Sequence, residues 1–231
     1  MEAHVLTVFP EMYRQHRNHG IMGKAVDKDK LELTPWSLRR FTDDRNGNID
    51  DHAYGGEFGM VLKPEPFFRG VDHITETRGD ATVMMTSPGG RQFDNDAAKR
   101  LSKRSRMIIL TGRYEGVDQR VRDHLVDEVW SIGPYVTPGG DLPALVLLSS
   151  IIRHIDGVLG NETSIQRDSF QNDRLAPPHY TRPQSYRGHD VPEVLLSGDH
   201  QRIEEWRRHQ AKQRTKRKRP ELIEDRKQET S

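Results

Sequence analysis

The sequence predicts an α/β protein built on a mostly parallel sheet, and three observations predict it. Short apolar runs recur along the first two thirds of the chain, segments of helical spacing separate them, and glycine-bearing turns follow three of the runs in succession. Parallel strands need long crossovers rather than tight hairpins, so this alternation is the pattern a parallel sheet requires.

His4–Pro10 (HVLTVFP) reads as a buried strand, a helix follows through Glu11–His19, and a second strand spans Leu31–Pro35. Phe41–Pro66 is rich in Gly, Asp, Asn and Pro and too long for an idle connection, so it is expected to be functional. A helix near Pro66–Thr77, a strand at Ala81–Thr86, a turn at Ser87–Gly90, a helix from Asp94 to about Lys103 and a strand at Met107–Thr111 come next. GRYEGVDQRV then makes a glycine turn into a helix, and the strand Glu128–Ile132 leads into a glycine and proline loop ending at Gly140. The helix beyond is apolar on nearly every side. Asp141 is placed to cap it, Pro143 sits in its first turn where a missing N–H costs nothing, and Ala144 to Leu148 with Ile151 and Ile152 wrap it. Arg153 is the anomaly of this helix, although a cation in a last turn also opposes the macrodipole.

Composition narrows the classes. A chain of 231 residues can bury one sizeable core plus a small second domain. With 33% hydrophobic and 31% charged residues and a mean hydropathy of −0.85, it reads as soluble, with no transmembrane run. Its start has neither a basic segment nor a long apolar one, so a cytoplasmic location is expected. The sequence has no cysteine, which excludes disulfides, thiolate metal sites and cysteine nucleophiles. Among 11 histidines only His16 and His19 approach ligand spacing, more in keeping with a solvated helix face than with a zinc site.

The net charge is only +1, yet Arg207–Arg219 holds eight Lys or Arg and no acid, leaving −7 on the rest of the chain. Such a block is either a solvated tail or the footprint of phosphate-backbone binding. In an open α/β sheet ligands lie beyond the carboxyl ends of the strands, so Ser87–Gly90, Gly112–Gly116 and Ile132–Gly140 should form one pocket. Neither G-x-G-x-x-G nor G-x-x-x-x-G-K-[ST] occurs, which disfavours a standard dinucleotide or P-loop site.

DDHAYGGEFGMVLKPEP, GRYEGVDQRV, SIGPYVTPGGDLPALVL, HIDGVLGNETS, DSF, PPHYTRP and VPEVLLSGDHQRIEEWR stand in an order and spacing that resembles the bacterial tRNA (guanine-N1)-methyltransferases, over nearly the whole chain. The resemblance implies a SPOUT-type fold with a deep trefoil knot in a cofactor-binding domain at residues 1–160; Ser164–Pro178, polar and with no apolar period, itself reads as a linker, so 161–178 is expected to be a flexible linker and 179–231 a small helical tRNA-binding domain with the basic tail. Nothing in composition or periodicity points to the knot, and knots are rare. It further implies a homodimer with an active site shared between subunits, and S-adenosylmethionine held by Ser87, Pro88, Gly112, Glu115, Ile132, Gly133, Pro134, Tyr135, Val136, Thr137, Gly139 and Gly140. Taken alone, Ser87–Gly90 reads equally well as a plain turn. Pro134 stands where the family commonly has aspartate, Pro138 where it has serine, and Glu57-Phe58 where it has Gly-Pro. Each of the two loop prolines removes an N–H donor.

Guanine N1 carries a proton at neutral pH, so its methylation needs a base and a group that stabilises charge on O6. By the resemblance Asp168 is that base and Arg153 the O6 stabiliser. Locally, Asp168 reads equally as a helix N-cap. In the family a divalent cation, usually magnesium, supports the reaction; Glu115 is a candidate anchor, but the sequence itself shows no cation site. The expected target is the guanine 3′ of the anticodon, with Phe41–Tyr54, including Asp50, helping to hold that region. Two alternatives stay open: a knotted methyltransferase acting on another RNA nucleotide, and a non-catalytic tRNA-binding protein on the same fold.

Overall fold

The computed structural model describes residues 1–56, 59–159, 168–171 and 173–223, and the chain divides into two compact units, Met1–Gly160 and Asn161–Ser231. In the first unit β1 (Glu2–Thr7), α1 (Pro10–His16), α2 (Gly20–Asp27) and β2 (Glu32–Ser37) are followed by a hairpin, β3 (Asp50–His52) and β4 (Met60–Leu62). Then come α3 (Pro64–Arg78), β5 (Thr82–Gln92), α4 (Asn95–Leu101), β6 (Arg106–Thr111), α5 (Gln119–Leu125), β7 (Glu128–Ser131) and α6 (Asp141–Ile152). The five longer strands form a sheet in the order β2-β1-β6-β5-β7, with every pairing parallel.

The period of two along β6 explains why both faces are covered. Met107 and Ile109 point into a core shared with α1, α2, α4 and α6, while Ile108 and Leu110 point into one shared with α3 and α5. All four are fully buried, worth about 1.5–3 kcal/mol apiece in apolar transfer. Arg106 of β6 makes paired hydrogen bonds to the Glu2 carboxylate of β1 at 2.8 and 2.9 Å, and these hold the Glu2 pKa down at about 2.

Several local expectations are corrected. The first strand ends at Thr7 and not Pro10, because Pro10 opens α1, where its fixed φ suits a first helical position. Helix α2 was not expected: Gly20 and Gly23 lower its intrinsic propensity, and burial of Met22 and Ala25 overrides that. The irregular Phe41–Pro66 stretch contains the β3–β4 hairpin. Ser87–Gly90 does not reverse the chain. Strand β5 runs on to Gln92, and Trp130 of β7 pairs with both Thr86 and Arg91, so these four residues bulge out between two pairings. The cap of α6 is Gly140, and Asp141 is the first residue inside the helix.

The second unit holds a short hairpin, β8 (Ser185–Tyr186) and β9 (His189–Asp190), a 3-10 turn at Glu193–Leu196 and the helix α7 (His200–Lys218). Asp199 caps α7 by accepting from the N–H groups of Gln201 and Arg202, both at 3.1 Å. The basic run lies on this helix as far as Lys218. Among the described residues no helix is long and apolar enough to cross a membrane.

Candidate functional site

The three predicted segments do meet. A cavity of about 400 Å³ opens beyond the carboxyl ends of β5, β6 and β7. Ser87 and Pro88 line it from the bulge of β5, Gly112 and Glu115 from the loop after β6, and Ile132, Tyr135, Val136, Thr137, Gly139 and Gly140 from the loop after β7. Gly133 and Pro134 are not part of the lining. Gly133 acts one step removed: its φ of +149° turns the chain at the end of β7, and its N–H and carbonyl both bond the Ser131 hydroxyl, at 3.2 and 3.1 Å.

The cavity wall is stitched by backbone. The Gly140 N–H donates to the Gly112 carbonyl at 2.8 Å, and the Thr86 hydroxyl donates to the Gly140 carbonyl at 3.1 Å. A Cβ on Gly140 would collide with that hydroxyl and reach 3.0 Å from the Gly112 nitrogen, so only glycine lets the loop after β7 lie so close to β5 and β6. The β3–β4 hairpin is joined to the same wall, since Glu115 N–H donates to the Met60 carbonyl and Leu62 N–H to the Gly116 carbonyl, both at 3.0 Å. The hairpin strands Asp50–His52 and Met60–Leu62 are thereby joined to the loop after β6 that lines the cavity; Glu57 and Phe58 lie outside the described residues.

One buried cluster escaped sequence reasoning. The Asp141 carboxyl is 4% exposed and its Oδ1 accepts from Thr7 at 2.6 Å, Tyr13 at 3.0 Å and Thr111 at 3.1 Å. Burial, and then the Asp141 charge, push the Tyr13 phenol well above its ordinary range, so it stays a donor. The three hydroxyls come from β1, α1 and β6, and they tie the start of α6 to the strand ends. No local pattern signals this, because the partners are over a hundred residues apart for Thr7 and Tyr13.

Arg153, of the first unit, is not among the residues lining this cavity. Arg153 is the exposed C-cap residue of α6, at the opposite end of the helix from Gly140. Twelve residues of helix separate the two ends by roughly 18 Å. Asp168 belongs to the second unit, where it opens a turn and not a helix: its carbonyl accepts from the Gln171 N–H at 3.4 Å, so the N-cap reading fails. Among the described residues no group of three or more His, Asp or Glu is placed to hold a metal ion, and Glu115 is exposed.

A parallel α/β sheet whose carboxyl-end loops line a glycine-walled cavity, without a phosphate-binding motif, places the chain among α/β proteins whose strand-end cavity is of small-ligand size. The comparisons narrow that class. The family model described as tRNA (Guanine-1)-methyltransferase TrmD matches residues 1–225. A tRNA (guanine-N(1)-)-methyltransferase of Thermosipho africanus is 46% identical over 96% of this chain and 90% of its own length, and one of Fervidobacterium nodosum is 46% identical over the same shares. The crystal structure of a tRNA (m1G37) methyltransferase from Aquifex aeolicus superposes with a TM-score of 0.80 at 39% identity, covering 97% of this chain and 95% of that one. The chain therefore belongs to the tRNA (guanine-1)-methyltransferase family.

Proposed function

We propose that this protein methylates N1 of the guanine immediately 3′ of the anticodon in tRNA, with S-adenosylmethionine as donor. The observation that carries the reading is the convergence of Ser87–Pro88, Gly112–Glu115 and Ile132–Gly140 on one cavity in a chain matched to this family from residue 1 to 225. At about 400 Å³ the cavity falls in the range of small-molecule sites, roughly 300–1,000 Å³, and its glycine wall is the kind a Cβ would fill. Gly112, Gly139 and Gly140 would hold the donor by backbone, with Tyr135, Val136 and Ile132 against its apolar parts. S-adenosylmethionine supplies an electrophilic methyl group on sulfur.

The chain's own residues supply the rest. Asp168 takes the N1 proton, and Arg153 sets a guanidinium against O6 as negative charge develops there. An aspartate with a reference pKa of about 3.9 is a weak base, so the Arg153 charge is what makes removal of the proton feasible.

The wide separation of Gly140 from Arg153 along α6 supports an active site completed by a second copy. So does the apolar surface beside the cavity: Leu142, Val146 and Val136 are 53%, 50% and 82% exposed. The return of the loop after β7 onto Thr86, Thr111 and Gly112 before α6 begins is what a trefoil knot would require, and we read residues 82–152 as knotted. The second unit, with its basic helix, would carry the tRNA contacts.

Incubation with methyl-labelled cofactor and a tRNA transcript, followed by mapping of the labelled nucleotide, tests the proposal. Label on N1 of that guanine is expected. Label on a ribose or on another base would establish one of the alternative RNA targets instead, and no label would leave a non-catalytic tRNA binder.

A further inference from the structure

The basic run of α7 makes two kinds of contact. Thr215 is fully buried, and its hydroxyl donates to the Ala211 carbonyl at 2.7 Å while accepting from the Leu175 N–H at 3.0 Å. Arg214 donates to the Ala176 carbonyl at 3.4 Å. The Arg219 guanidinium lies 5.5 Å from the centre of the Phe170 ring and is paired with Glu221. All three contacts reach the segment from Phe170 to Ala176, two residues beyond Asp168.

That segment is itself closed. The Phe170 N–H donates to the Arg174 carbonyl at 2.7 Å, and the Ser169 hydroxyl accepts from the Ala176 N–H at 3.0 Å. Phe170 and Asp173 have φ of +68° and +56°; aspartate adopts this left-handed conformation readily, but a bulky residue such as Phe170 holds it only when its surroundings impose it. The hold comes from α7, which grips the turn at Leu175 and Ala176, and from its C-cap residue Arg219, which lies over Phe170. Lys212, Lys216 and Lys218 are exposed on the same helix.

We infer that Thr215, Arg214 and Arg219 are positioning residues for the Asp168 carboxylate, and that the phosphate contacts of the basic helix fall to its exposed lysines. The inference rests on the proposed role of Asp168. It divides a charge run that reads as uniform in sequence into a face that sets the catalytic turn and a face that meets RNA. A base displaced by even about 1 Å can lose up to two orders of magnitude in rate, so a loosened turn should register in turnover and not in binding.

The test compares Thr215→Val, Thr215→Ser and Arg219→Gln with the double variant Lys216→Gln/Lys218→Gln, using single-turnover methyl transfer and tRNA binding at several salt concentrations, with Asp168→Asn alongside. Thr215→Val and Arg219→Gln should lower kcat about tenfold while tRNA Kd stays within about twofold, and Thr215→Ser, which keeps the hydroxyl, should restore the rate. The lysine pair should raise Kd and reduce the slope of log K against log salt by about 1.5. If Asp168→Asn is inactive while Thr215→Val and Arg219→Gln turn over at the wild-type rate, the positioning role is overturned and the base assignment stands. If Arg219→Gln flattens the salt dependence as the lysine variant does, the division of the helix is wrong. An active Asp168→Asn variant would remove the base assignment and this inference with it.

Discussion

Helices α6 and α7 do opposite things with the same backbone. Eight of the twelve residues of α6 are buried, so water exclusion stabilises it, and its sequence is apolar almost all round. In the nineteen residues of α7 only Ala211 and Thr215 are buried. A helix polar all round cannot rest on burial, and α7 is held by the Asp199 cap, by pairs such as Gln201–Glu205 and Glu204–Arg207, and by the Thr215 hydroxyl. One helix fills the core on one face of the sheet; the other keeps a charged face wet. A methyl donor and a polyanionic substrate call for those two environments.

Exchanging Asp168 for asparagine should separate the two regions most sharply. Asp168→Asn cannot accept the N1 proton, so methyl transfer should fall by about 10²–10⁴-fold, while calorimetric affinities for S-adenosylmethionine and tRNA stay within a few fold. A near wild-type rate would return Asp168 to a purely structural role. Mixing two crippled chains asks whether the regions cooperate across a dimer. Gly140→Val should block the cavity by the collisions described above, and Asp168→Ala should lack the base. Co-refolded at equal concentration, half the dimers are mixed and one site in each is intact, so roughly a quarter of wild-type activity should return if the site is shared. With mixed dimers verified by two tags, no recovery would place Asp168 in its own subunit's site.

Stability should distinguish the helices next. Leu148→Ala in α6 removes a fully buried side chain and should cost about 2–5 kcal/mol in denaturant unfolding, whereas Arg208→Ala on the exposed face of α7 should stay within about 0.5 kcal/mol. Similar costs at both sites would contradict the contrast. A smaller effect than that of Leu148→Ala belongs to the sheet that α6 covers. With the folded Glu2 pKa at about 2 and an unfolded value of about 4.3, its contribution is complete above the unfolded value and is lost as pH falls toward 2. Glu2→Gln should therefore lower Tm by a few degrees at pH 6 and by progressively less toward pH 2, a convergence that thermal scans would reveal or refute.

The sequence alone determined the strand and helix alternation, the apolar character of α6, the three loops that meet at the cavity and the basic run, because each is written in local periodicity or composition. The family motifs added the roles proposed for Arg153 and Asp168, which no local signal could assign. Tertiary structure decided what depends on distant partners. Ser87–Gly90 bulges instead of turning because Trp130 pairs on both sides of it, and α2 forms despite two glycines because its apolar residues are buried. Asp141 looks like a cap in sequence, yet its carboxyl is claimed by Thr7, Tyr13 and Thr111. The basic run reads as one block of charge, yet folding sends Arg214 and Arg219 to the turn beside Asp168. A charge count registers how many cations a segment holds, and only the packed chain fixes which of them remain available to a partner.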